Sequence, residues 1–126
     1  MSKLDKKVAI VTGATGGIGF EVAKKLGQDG FIVILNGLND KEGKNKTETL
    51  LNEGINAFYY GFDVTNEEAV NTNIKAIGEK FGRIDVLVNN AGGLGGRSRF
   101  EEMTTKFYKA VMALNLDSVF YASRAA

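Results

Sequence analysis

The sequence contains no cysteine, no histidine and no proline in 126 residues. Without cysteine there is no disulfide, thiolate nucleophile or thiolate metal site. Without histidine the chain lacks the commonest neutral general base and metal ligand, so any catalysis must draw on other groups. No proline marks a boundary, and no repeat, low-complexity segment or linker interrupts the chain, so residues 1–126 read as one domain. An excess of charge is also missing. The 16 basic residues are balanced by 15 acidic ones, and the formal +1 gives no field to recruit nucleic acid or an anionic membrane. Near the N-terminus the uninterrupted apolar stretch is Val8 to Val11, too short for a signal segment or a bilayer span. A cytoplasmic location is expected. What remains, 44% hydrophobic and 25% charged residues, is the composition of an ordinary globular domain.

Four short runs rich in β-branched and aromatic residues recur: Val8–Val11, Phe31–Leu35, Ala57–Phe62 and Ile84–Val88. Most lack polar alternation, as strands covered on both faces do. Stretches of helical spacing lie between them. Ile18 to Leu26 brings Val22 and Ala23 to one face, with Glu21 expected in the first turn, where the helix dipole favours an acid. Asn39 to Leu51 is more polar and reads as a surface helix. Thr65 followed by Glu68 reads as a capping box, opening a helix faced by Val70, Ile74, Ile77 and Phe81. A fifth helical element from about Met103 to Ala126 repeats Phe107, Val111, Leu114, Val119 and Phe120 near the helical period and reaches the chain end without a cap. Strands alternating with helices imply βαβ units with right-handed crossovers. The expected fold is α/β, a Rossmann-like three-layer sandwich with parallel sheet order 3-2-1-4.

Residues 12–19, TGATGGIG, join the first run to the first helix. In a βα unit the opening helical turn presents unpaired N–H groups and the positive end of the dipole, which attract phosphate oxygens. Gly13 suits a sharp exit from the strand, Gly17 a close approach to a pyrophosphate, and Gly19 tight helix packing. The spacing is TGxxxGxG. The GxxxxGKS or GxxxxGKT pattern of a triphosphatase loop is absent, which removes a kinase or NTPase reading. On its own the stretch leaves open a simple glycine-rich turn. Three companions bear on it. Asp63 follows the third run, either as an acceptor for an adenine amino group or as a turn acid. Asn89, Asn90, Ala91 and Gly92 close the fourth run, where strand order reverses and doubly wound sheets bind ligands; a plain turn is the alternative. Asn115 stands inside a helix, where asparagine has poor propensity, as a special polar group or merely an exposed one.

Together, Thr12 to Gly19, Asp63-Val64, Asn89 to Gly92 and Asn115 in ALNL resemble the first half of a short-chain dehydrogenase/reductase, across essentially the whole chain. The wording LDKKVAIVTGATGGIG, FDVTN, FGRIDVLVNNAGG and NLDSVF looks most like the 3-oxoacyl-carrier-protein reductase branch, an activity of fatty acid synthesis. The resemblance implies a nicotinamide dinucleotide held by Thr12, Gly13, Thr15, Gly16, Gly17, Ile18 and Gly19 at its phosphates. It implies Asn36 at the second-strand corner, Asp63 and Val64 at adenine, and Asn90, Ala91 and Gly92 at the ribose. Asn115 would position a relay water as the catalytic residue of this half, and no metal is implied. At the end of the second strand an acid would hydrogen-bond the ribose 2′-hydroxyl and repel a 2′-phosphate. Asn36, Gly37, Leu38 and Asn39 stand there instead, which favours NADP(H) over NAD(H), although no arginine occupies the corner and the basic residue frequent in the family's glycine loop is Gly16.

The chemistry implied by the family is hydride transfer between nicotinamide and a carbonyl or alcohol, with a tyrosine as acid/base and a lysine four residues later. Tyr59, Tyr60, Tyr108 and Tyr121 are followed at that distance by Asp63, Val64, Met112 and Ala125. The catalytic serine, tyrosine and lysine are therefore expected beyond Ala126, and the chain is expected to be a truncated product, inactive alone. An unpaired fourth strand would favour self-association, so a homo-oligomer is expected. Gly92 to Arg99 would border a small carbonyl or acyl thioester substrate in an intact enzyme, though a solvated loop is the favoured reading. Three readings stay open: a short-chain oxidoreductase, a dinucleotide-binding module without catalysis, and a fragment that has lost its cofactor.

Overall fold

The structure, a computed structural model, describes residues 6–92 and 104–126. Met103 and residues 93–99 of the expected substrate-bordering loop lie outside them.

Four parallel strands form one sheet in the order β3-β2-β1-β4, as the alternation of strand and helix predicted. They are β1 (Val8–Val11), β2 (Ile32–Gly37), β3 (Ala57–Gly61) and β4 (Val86–Val88). Between them come α1 (Gly17–Gln28), α2 (Asp40–Asn52) and α3 (Glu67–Phe81). After β4 a long helix consists of α4 (Thr105–Met112), a π-helical turn (Ala113–Asp117) and α5 (Ser118–Ala125).

The central strands explain why their sequences show no polar alternation. Val8, Ile10, Ile32 and Ile34 point to one face, where they meet Val70, Ile74 and Ile77 of α3 and Ala122 of α5. Ala9, Val11, Val33 and Leu35 point to the other, against Ala23 of α1 and Leu50 of α2. Both faces are covered, so both alternating sets must be apolar. Each fully buried aliphatic side chain adds about 1.5–3 kcal/mol. Pairing of β1 with both β2 and β4 places the C-terminal ends of three strands side by side.

Several boundaries differ from the sequence reading. β2 runs on through Asn36 and Gly37, which pair with Tyr60 and Gly61, because the polar side chain of Asn36 finds its partners inside the fold. β4 is shorter than the apolar run and begins at Val86. α1 starts at Gly17 and has no acid in its first turn, so Glu21 lies too far along to meet the unpaired N–H groups. The expected capping box is not the cap of α3: Asn66 accepts from Ala69 N at 3.0 Å, while Thr65 donates to Asp63 Oδ1 through its N–H and its hydroxyl. Thr104 caps the last long helix, which is not one uniform α-helix.

The start of β4 is fastened by Asp85. Its N–H donates to the Val8 carbonyl at 2.9 Å and its Oδ2 accepts from the Val8 N–H at 2.8 Å. The Arg83 guanidinium grips both carboxylate oxygens, at 2.8 and 2.6 Å. Hydrogen bonds from Arg83 first, and then from Val8, hold the Asp85 carboxyl below its usual range. A lowered carboxylate contributes stability that is complete above the unfolded-state pKa and is lost as pH falls through the folded one. Acid unfolding of Asp85→Asn, followed by circular dichroism, is therefore expected to lose less stability below about pH 4 than the wild type.

Candidate functional site

The site begins where β1 ends. Gly13 adopts φ +60°, and a β-carbon there would stand 2.9 Å from Ala91 Cα, so the turn admits only glycine. Thr12, almost fully buried, clasps the neighbouring strand: its hydroxyl accepts from Asn90 N and Ala91 N, both at 3.0 Å. Asn90 Nδ2 donates back to the Gly13 carbonyl at 2.9 Å. On the other side, Asn36 Oδ1 accepts from Gly13 N at 3.1 Å and its Nδ2 donates to the Phe62 carbonyl at 2.9 Å. β4, β1 and the end of β3 are thus joined through three side chains.

Above this floor lies a cleft of about 400 Å³. Of the residues singled out in the sequence, Gly13, Thr15, Asn36, Asp63, Val64, Ala91 and Gly92 line it. Gly16, Gly17 and Ile18 do not; they border a shallower depression along α1 with Phe20 and Lys46. Thr12, Gly19 and Asn90 face neither hollow and serve the floor. A β-carbon on Gly19 would come within 2.4 Å of both Asn90 Nδ2 and the Gly13 carbonyl oxygen, which is the close helix packing expected of it. Asp63 lines the cleft and also makes its turn, its Oδ1 accepting from Thr65.

Asn115 sits in the π-helical turn, where its Nδ2 donates to the Val111 carbonyl at 2.9 Å. A β-carbon on Gly92 would be 2.8 Å from Asn115 Oδ1, so the turn brings this amide against the end of the Asn89–Gly92 stretch. Tyr59 stands on β3 beside the β2–α2 corner. Its hydroxyl reaches the Gly37 carbonyl at 3.1 Å and Asp40 Oδ1 at 3.0 Å, and burial, followed by the Asp40 hydrogen bond, pushes its pKa up to about 12. Tyr59 is therefore a structural pin for the β2–α2 corner.

Gly37, Leu38 and Asn39 of the second-strand corner line the cleft as well, and the sequence reading missed three contributors to its wall: Glu42, Phe62 and Leu114. Glu42 follows the Asn39 cap by three residues, a signal that fixes it at the start of α2 beside the corner. Gly37 carries a packing signal instead, because a β-carbon there would meet Thr15 Cγ2 at 2.4 Å.

The donor set fits an elongated anionic nucleotide. α2, α3 and α4 are capped by Asn39, Asn66 and Thr104, whereas α1 has Gly16 in extended conformation at its N-cap and no side-chain cap. The first-turn N–H groups of α1 are thereby left to a bound acceptor. Next to them the cleft offers two carboxylates, Asp63 and Glu42, small residues and apolar walls at the carboxyl ends of parallel strands. Among the described residues no group of acidic side chains is placed to hold a metal ion.

The family described as short chain dehydrogenase matches residues 7–126. A 3beta-hydroxysteroid dehydrogenase of Mediterraneibacter gnavus is 36% identical over 98% of this chain and 45% of its own. A putative ketoacyl reductase of the monensin polyketide synthase from Streptomyces virginiae is 37% identical over 99% of this chain and 48% of its own. The chain thus spans about half the length of the curated relatives it matches. A crystal structure of an actinorhodin polyketide ketoreductase variant with NADPH superposes with a TM-score of 0.92 at 34% identity, covering 99% of this chain and 48% of that one.

The close packing at Gly19 is open to a direct check. Gly19→Ala is expected to lower stability in urea by about 1–3 kcal/mol, because the added methyl meets a backbone oxygen that cannot yield. Gly16→Ser, at an N-cap with room around it, should leave stability unchanged within about 0.5 kcal/mol.

Proposed function

The chain belongs to the short-chain dehydrogenase family, and from that premise we propose that it is the cofactor-holding part of an oxidoreductase interconverting a carbonyl and an alcohol. The observation that carries this is the cleft at the strand ends, lined by Gly13, Asp63, Val64, Ala91 and Gly92 beside the uncapped start of α1. When bound, nicotinamide supplies or accepts the hydride. The residues of this chain bind and orient. First-turn N–H groups of α1 receive the pyrophosphate, with Thr15, Gly16, Gly17 and Ile18 around it. Asp63 and Val64 receive adenine, Asn36 braces the corner from below, and Thr12, Gly19 and Asn90 keep the floor rigid while Ala91 and Gly92 lie against the ribose. Asn115 holds a proton-relay water at the nicotinamide end.

The finer substrate class is reduction of a 3-oxoacyl thioester, supported by the sequence wording and by the ketoacyl reductase name of one relative. NADP(H) is the preferred dinucleotide, supported by the absence of an acid at the end of β2 and by the NADPH in the similar ketoreductase structure. The same reading takes the protein to be cytoplasmic. A second reading, a dinucleotide-binding part that performs no chemistry by itself, is favoured by one observation: none of the four tyrosines has a lysine four residues on. Titration calorimetry with NADPH and NADH tests the shared premise. Binding of both, with NADPH tighter, is expected, and no binding of either would sink it. A reductase assay on the same chain with a 3-oxoacyl thioester and NADPH then separates the two readings.

The proposal includes self-association. β4 is an edge of the sheet and only half-buried, and Tyr108, Leu116 and Phe120 on the helix after it are more than half exposed. An unpaired apolar edge is a template for a second chain. Sedimentation velocity should give a dimer or larger species, and a monodisperse monomer would refute this.

A further inference from the structure

The corner between β2 and α2 is held by Tyr59, Asp40, Gly43 and Gly61, none of which belongs to the glycine loop or its companions. Tyr59 reaches it from β3: its hydroxyl is within 3.1 Å of the Gly37 carbonyl oxygen and 3.0 Å of Asp40 Oδ1. One proton thus serves an acceptor at the end of β2 and another in the first turn of α2. Burial first, and then the Asp40 hydrogen bond, pushes the phenol pKa up to about 12, so it keeps that proton. Two glycines make room for the ring. A β-carbon on Gly43 would overlap Tyr59 Cε1, and one on Gly61 would stand 2.8 Å from the Tyr59 hydroxyl oxygen. Glycine is a poor helix former, yet Gly43 lies buried in α2, where the missing side chain lets the helix settle onto the ring. The corner so fixed faces the cleft, because Gly37, Leu38, Asn39 and Glu42 all line it. The Gly37 carbonyl also accepts from Phe62 N at 3.2 Å, and Phe62 and Asp63 continue the same wall.

We infer that Tyr59 is a positioning residue for the adenosine end of the cleft: through the Gly37 carbonyl and Asp40, its hydroxyl sets the spacing between the end of β2 and the first turn of α2 that a bound nucleotide meets. The inference rests on the reading of the cleft as the seat of a dinucleotide. Tyr59 is not among the residues lining the cleft, so it acts through others. What it sets is shape rather than charge. NADPH, NADH and ADP share the adenosine and its two phosphates, so all three must respond alike. By the reciprocity of linked equilibria, a bound nucleotide must in turn hold the corner closed.

The test is calorimetric titration of the full chain with ADP, NADH and NADPH, in the wild type, Tyr59→Phe and Ile77→Val. Tyr59→Phe keeps the ring against Gly43 and removes only the hydroxyl. Loss of its hydrogen bonds should weaken all three ligands by about three- to tenfold. Ile77→Val trims the core on the opposite face of the sheet from Tyr59, so it lowers stability in urea and should leave every affinity within about twofold. Hydrogen exchange supplies a second readout. The N–H groups of Glu42, Gly43 and Phe62, which bond to Asn39 and Gly37, should exchange faster in Tyr59→Phe, and ADP should slow them in the wild type. Affinities unchanged by Tyr59→Phe, weakening of the dinucleotides without ADP, or equal weakening in Ile77→Val would each overturn the inference while the cleft reading stands. So would exchange at these amides that neither the variant nor ADP alters. A wild-type chain that binds none of the three ligands overturns the cleft reading itself, and the inference with it.

Discussion

The buried side-chain amide of Asn36 joins three strand ends that the sheet alone would let diverge. Parallel strands pair along their length, but past the last rung each chain must turn away with backbone groups unsatisfied. Asn36 Oδ1 takes the Gly13 N–H just after β1, and its Nδ2 gives protons to the carbonyls of Phe62 and, at 3.4 Å, Tyr60 beside β3. Its own backbone carbonyl accepts from Ala14 N at 2.8 Å. An aliphatic residue of similar size would leave the Gly13 N–H and the Phe62 carbonyl without these partners, at about 1–3 kcal/mol for each group left buried and unpaired. The glycine loop, the β2 corner and the Asp63 turn therefore take their positions from one side chain.

The Thr12–Asn90 clasp does the same on the other side of β1, so the site divides into residues that build and residues that face outward. Thr12, Gly19, Asn36 and Asn90 spend their polar groups or their lack of a side chain on the floor. Gly13, Asp63, Ala91 and Gly92 border open volume. A short motif such as TGxxxGxG mixes both kinds, because adjacent residues at a strand end alternate between the interior and the cleft. Stability and binding are for that reason separable at single positions of one loop.

The fold was legible because it depends on buried periodicity. The wholly apolar runs of β1 and β2, and the spacing of Val70, Ile74 and Ile77, follow directly from two covered sheet faces, and from them come the strand order and the helix placement. Ends of elements were less legible. Asn36 reads as a strand terminator by propensity and becomes an interior strand residue only through partners far along the chain. Asn66 and Thr65 compete for the start of α3, and the Asx-type turn made by Asp63 decides between them. In the site, the glycines, Asp63 and the Asn89–Gly92 stretch could be found from local pattern. Glu42 carried a local signal too, three residues after the Asn39 cap, whereas Leu114 could not be found, since only the placement of the last helix brings it to the cleft.

The π-helical turn at Ala113–Asp117 has a consequence for the rest of the last helix. Each residue of an α-helix advances the side-chain direction by about 100°, so one additional residue accommodated in a wide turn resets the angular phase of everything after it. Ser118 and Ala122 are buried, Ala122 within the core that includes α3, while Tyr108, Leu116 and Phe120 point to solvent. The buried residues of this helix thus lie after the turn that holds Asn115, while α4 before it buries none. Removing a single residue from this turn would therefore rotate α4 as a block about a docked α5, so the length of the segment acts as a setting for which side chains of α4 face away from the fold.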